Sequence, residues 1–157
     1  MPNSYDASRA LSLAIAMERR AIQMYERALN LFDDDALNSV IRFLLGEEKC
    51  HLQRFQDMLA PFQQDVSQSP LIASQAADML FPGGLIGAAR NDAFASALHL
   101  VQYAAEQEED AVKKYRAFAG QCDGNAQTAF LSIAEEEQNH LRQLQDLAAH
   151  LERDAAF

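Results

Sequence analysis

Glu18 and Glu108, each followed seven residues later by a tyrosine (Tyr25 and Tyr115), occur together with two Glu-x-x-His pairs, Glu48 with His51 and Glu137 with His140. The order is the same in both halves of the chain. Glu18 to Glu48 is 30 residues and Glu108 to Glu137 is 29 residues. Carboxylate oxygens with one imidazole per ion form a ligand set for two divalent cations in the core of a helical bundle. Such donors suit iron or manganese, with zinc an alternative. Without thiolates in the set, an iron–sulfur centre is excluded.

These residues must be positioned by long helices. Only six Gly and four Pro interrupt the 157 residues, and hydrophobic residues make up 49%, enough for one domain with a substantial core. The pattern predicts a first helix from about Asp6 to Phe32 and a second from the acidic turn Asp33-Asp34-Asp35 to near Pro61. A third opens at Asn91-Asp92 and ends before Gly120, and a fourth runs from Gly124-Asn125 to about Arg153. Short links make each pair an antiparallel hairpin. The expected organisation is one all-α domain over 1–157, a four-helix bundle with hairpin 6–60, crossover 61–90 and hairpin 91–153. Ser69-Pro70 marks a short helix near 70–80 within the crossover.

Projected at about 100° per residue, each of the four glutamates falls mid-stripe on its helix's most apolar face. Ile15, Ile22 and Tyr25 flank Glu18, and Leu44, Leu45 and His51 flank Glu48. Val101, Val112 and Tyr115 flank Glu108, and Ile133, His140 and Leu144 flank Glu137. Unpaired charge is rare at such positions. Each glutamate pair is also centred on its own hairpin turn, so the turns bring both pairs to one height. Four carboxylates carry −4 and two divalent ions +4, so the buried charge cancels. Tyr25 and Tyr115 lie about two turns, roughly 10 Å, from their glutamates. They are either ordinary core tyrosines or hydrogen-bond partners of ligating carboxylates across the bundle. His99, His150, Cys50, Glu47, Glu106, Glu109, Glu135 and Glu136 project off the stripe, and a solvated face accounts for them.

A net charge of −10 argues against nucleic acid as a partner. No apolar run reaches membrane-spanning length. The first residues lack the pattern of a signal peptide, and Cys50 and Cys122 form no C-x-x-C, so the expected location is the reducing cytoplasm.

On Glu18, Tyr25, Glu48-x-x-His51, Glu108, Tyr115 and Glu137-x-x-His140, the chain resembles the rubrerythrin-type diiron domain of the ferritin-like superfamily. The resemblance implies two iron ions, a small-molecule oxidant, and reduction of hydrogen peroxide or dioxygen with oxidation of ferrous iron. Iron storage and a non-redox metal bundle are the alternatives. Three departures matter. No four-Cys rubredoxin segment is present, so the electron donor is unidentified. The family's second glutamate on the third helix is missing, because Ala105 and Ala111 stand at the two positions three residues from Glu108. The six-residue ligand set is thus closer to that of bacterioferritin, but Lys49 stands where bacterioferritins place a haem-ligating Met. The chain also leaves no room for a fifth helix after Arg153, which favours a homodimer over a cage, with Leu80, Phe81, Leu85 and Ile86 as candidate contacts.

Overall fold

The structure, a computed structural model, describes residues 4–62 and 84–155. Among these residues it contains helices and no strand: α1 (Ser4–Leu31), α2 (Asp35–Leu59, continuing into a 3-10 turn, Ala60–Phe62), α3 (Gly84–Arg90), α4 (Ala97–Gly120) and α5 (Gly124–Ala155). The architecture is an all-α bundle of four long helices, as the periodicity requires.

The helix ends follow local chemistry. Asp34, in extended conformation, accepts the Leu37 N–H at 2.9 Å and caps α2. Asn38 Nδ2 donates to the Phe32 carbonyl at 2.9 Å and ties this cap to the end of α1. Ser96 caps α4 by accepting the His99 N–H at 3.1 Å. The sequence reading placed this helix start at Asn91-Asp92, and the structure corrects it. Asp92 takes a left-handed φ of 57°, and the Ala93 N–H reaches back to the Ala88 carbonyl at 3.0 Å, so the pair terminates α3 rather than opening α4. Gly124 begins α5 with φ of 59°, a conformation that suits a residue without Cβ.

The direction of each helix can be read from the core, which splits into two apolar clusters. One joins Tyr25 and Ala28 late in α1 to Leu37 and Ile41 early in α2, Leu100 and Val101 early in α4, and Leu144 and Leu147 late in α5. The other joins Leu11 and Ala14 early in α1 to Phe55 late in α2, Tyr115 and Phe118 late in α4, and Phe130 and Ile133 early in α5. Hence α1 and α5 run one way, and α2 and α4 the other. α1 packs mainly on α2 and α4 mainly on α5, with α1 also meeting α4 and α2 also meeting α5. α2 ends at one end of the bundle and α4 starts at the other. The intervening chain must return along a length of about 37 Å, the rise of a 25-residue helix. Part of that return is α3, which packs against α1 with Ala88 buried. The helix expected near 70–80 lies outside the described residues, as do Leu80 and Phe81.

Candidate metal centre

The polar residues that break the apolar stripes meet between the two clusters. Glu18, Glu48, Glu108 and Glu137 are 1%, 2%, 3% and 0% exposed, and His51 and His140 are 1% and 2% exposed. They form two overlapping groups. Glu18, Glu48, His51 and Glu137 each bring a ligand atom within 4.8 Å of the others, and so do Glu48, Glu108, Glu137 and His140. Glu48 and Glu137 belong to both groups. The geometry is that of two adjacent cation positions sharing two carboxylates, each position with one further glutamate and one histidine of its own.

Both imidazoles point Nδ1 inward. His51 Nδ1 lies 2.8 Å from Glu137 Oε1 and 3.7 Å from both Glu18 Oε1 and Glu48 Oε1. His140 Nδ1 lies 3.0 Å from Glu48 Oε1, 3.3 Å from Glu137 Oε2 and 3.9 Å from Glu108 Oε2. The rings stack with centroids 5.8 Å apart. Each tyrosine reaches to the other hairpin. Tyr25 Oη donates to Glu108 Oε1 at 2.7 Å, and Tyr115 Oη donates to Glu18 Oε1 at 2.6 Å. Of the two readings the sequence left open, the structure therefore places both tyrosines against the carboxylates.

The electrostatics reflect four acids in a dry core. Burial, with the charges of Glu137, Glu18 and Glu108 added, pushes Glu48 well above the ordinary carboxylate value. Burial and the neighbouring Glu108 do the same to Glu137. Burial also pushes Glu18 up, but hydrogen bonds with Glu48, His51 and Tyr115 and the charge of His51 outweigh it, and the group lies below its usual value. Burial lowers both imidazoles. Glu18 and Glu136 more than compensate at His51, and Glu137 and Glu108 at His140, so both stand above the ordinary histidine value. Burial and an adjacent carboxylate raise Tyr25 and Tyr115 far above the usual phenol value, so both remain protonated donors.

The donor set fits a pair of divalent cations. Two fully buried oxygens, Glu18 Oε2 and Glu48 Oε1, have no hydrogen-bond donor, and the second faces His140 Nδ1 without hydrogen-bond alignment. Orphaned buried acceptors of this kind are costly unless a cation satisfies them.

The remaining polar residues stay outside. His99 is exposed beside Ser96, His150 is exposed beside Asp154, and Cys50 is exposed. Glu136 is different from its sequence reading as a merely solvated residue. Its Oε2 accepts from His51 Nε2 at 3.0 Å and from Arg54 Nη1 at 3.3 Å. The signal that could have found it is the repeated Glu-Glu dipeptide, Glu47-Glu48 in one half and Glu136-Glu137 in the other.

Against known families, residues 99–156 match the rubrerythrin family model. The second hairpin is rubrerythrin-like. The match spans Glu108, Tyr115, Glu137 and His140, half of the constellation. It implies a diiron centre of ferritin-like type, and the fold and buried cluster agree with that. The first hairpin lies outside the rubrerythrin match, yet contributes Glu18, Glu48 and His51 to the same site. No curated protein and no solved structure matches the chain.

Proposed function

We propose that the chain is a diiron oxidoreductase of rubrerythrin type, which reduces hydrogen peroxide or dioxygen while ferrous iron is oxidised. The observation that carries this reading is the pair of overlapping Glu/His groups that share Glu48 and Glu137. Glu18, Glu48, His51 and Glu137 would hold one ion, and Glu48, Glu108, Glu137 and His140 the other. Two ferrous ions held there would supply two electrons, the number needed to convert one peroxide and two protons into two waters.

The protein's own contribution is position, size selection and proton control. A cavity of about 20 Å³ lies between α1 and α4, bounded by Glu18, Glu48 and Glu108 and by the side chains of Ala21, Met24 and Ala111. That volume accommodates a water-sized species and fits a peroxide or dioxygen better than an organic substrate. Ala111, one of the two positions three residues from Glu108, presents only a methyl group to this space. Tyr25 and Tyr115, protonated and hydrogen-bonded to Glu108 and Glu18, hold those carboxylates in place from the opposite hairpin.

The test is anaerobic ferrous loading followed by stopped-flow oxidation. About two irons per chain are expected from charge balance, with faster oxidation by peroxide than by dioxygen. Much faster oxidation by dioxygen would move the function to a ferroxidase that prepares iron for storage. Stoichiometric loading without reaction with either oxidant would leave a non-redox metal bundle.

A further inference from the structure

The two half-sites match in composition, each with three glutamates and one histidine, but their outer surroundings differ. Arg54 follows His51 by three residues, and Gln143 holds the same place after His140. A cation therefore stands on one side of the site and an uncharged amide on the other. The carboxylates follow the cation. Glu136, from the facing helix α5, pairs with Arg54 Nη1 at 3.3 Å and accepts the Nε2–H of His51 at 3.0 Å. Glu47 brings its carboxylate into the same group around His51. By analogy, Glu47 would serve His140 as Glu136 serves His51. Yet among the described residues every carboxylate pairing with His140 is made through Nδ1. His140 instead meets the half-exposed Phe43 ring edge-on, with centroids 6.3 Å apart.

We infer that Glu136 is a positioning residue that makes the His51 half-site the tighter of the two metal positions, with the His140 half-site the more readily exchanged one. This rests on the dinuclear reading above. A carboxylate on Nε2–H fixes the tautomer that leaves the Nδ1 lone pair directed into the site, locks the ring, and makes Nδ1 a stronger donor. Loss of such a partner typically costs about 10- to 100-fold in metal affinity. The Phe43 ring supplies shape against His140 but no carboxylate oxygen to fix its Nε2–H.

The test is titration of the metal-free chain with cobalt(II), followed by its visible absorption and by calorimetry. The wild type should bind two ions in two steps. Glu136→Ala should weaken the first step about tenfold or more and leave the second nearly unchanged. Glu136→Gln, whose amide oxygen still accepts from Nε2–H, should recover most of the loss. His51→Ala should remove the tight step, and His140→Ala should spare it. Two bound ions with equal losses from the two histidine variants, or a first step indifferent to Glu136→Ala, would overturn the inference and leave the dinuclear reading intact. No cobalt bound by the wild type would overturn both.

Discussion

At the scale of single residues, the site is held by hydrogen bonds that cross between the hairpins. Tyr25 and Tyr115 each donate to a carboxylate contributed by the other hairpin. A hydrogen bond to a charged buried acceptor contributes about 1.5–3 kcal/mol. Tyr25→Phe and Tyr115→Phe should therefore each lower the stability of the metal-free chain by an amount of that order in urea unfolding. Both variants should still bind two metal ions, with slower oxidation of the loaded protein. A variant that keeps full stability would show that its carboxylate is satisfied by another donor. The burial of these four glutamates, two histidines and two tyrosines was legible in the sequence because period and chemistry disagreed at the same places in four helices. The repeated Glu-Glu dipeptide marks Glu136 but not its role, which depends on the residue of α2 it faces across the bundle, and periodicity within one helix carries no such information.

At the scale of elements, backbone conformation separates two glycines. Gly46 lies in the interior of α2, and an added Cβ there would meet nothing within 4 Å. Gly46→Ala should raise stability by about 0.5–1 kcal/mol. Gly124 also has open space around it, but its φ is 59°. Gly124→Ala should cost about 1–2 kcal/mol, wholly through backbone strain. Thermal and denaturant unfolding of the two variants should therefore move in opposite directions. Helix boundaries were legible where an acidic run separated two hydrophobic periods, as at Asp33-Asp34-Asp35. They were misplaced at Asn91-Asp92, where two polar residues suit a helix start and a left-handed helix stop equally well. Only the packing of Ala88 and Ala93 into the core decides between them. The helix Gly84–Arg90 was hidden for a similar reason: seven residues hold too few turns to show a period.

For the whole molecule, pH and metal should act together. Glu48 and Glu137 are raised above the ordinary carboxylate value of 4.5. In the metal-free chain their burial adds no penalty below that value, and the penalty grows as pH rises through their higher folded values. His51 and His140 are raised above 6.5, so their stabilising contribution is present below that value and lost as pH rises through the folded ones. Glu18 is lowered and opposes this only on the acid side, where its contribution is lost as pH falls. The metal-free chain should thus melt lower at about pH 8 than at about pH 5.5. Divalent metal, which replaces those protons, should widen its advantage over the same interval in calorimetry. A constant gap would mean that the carboxylates reach water. We also propose a homodimer: Phe43, Leu85 and Leu131 are exposed by 50%, 38% and 49%, and leftover apolar surface is commonly buried by symmetric pairing. Light scattering should give twice the chain mass, and a much larger particle would favour the storage reading.

The separation in sequence of the groups that close the site has a consequence for rates. Within each hairpin the partners are near neighbours along the chain, so either hairpin can form quickly. Tyr25 and Glu108 are 83 residues apart, His51 and Glu137 are 86 apart, and Tyr115 and Glu18 are 97 apart. Those contacts wait until the chain has travelled the length of the bundle. Interactions made after the transition state slow escape from the native state without hastening arrival. Bound metal should therefore act as a latch: it should lengthen the unfolding time strongly, as read by chelator-free denaturant jumps, and leave the refolding rate close to that of the stripped chain.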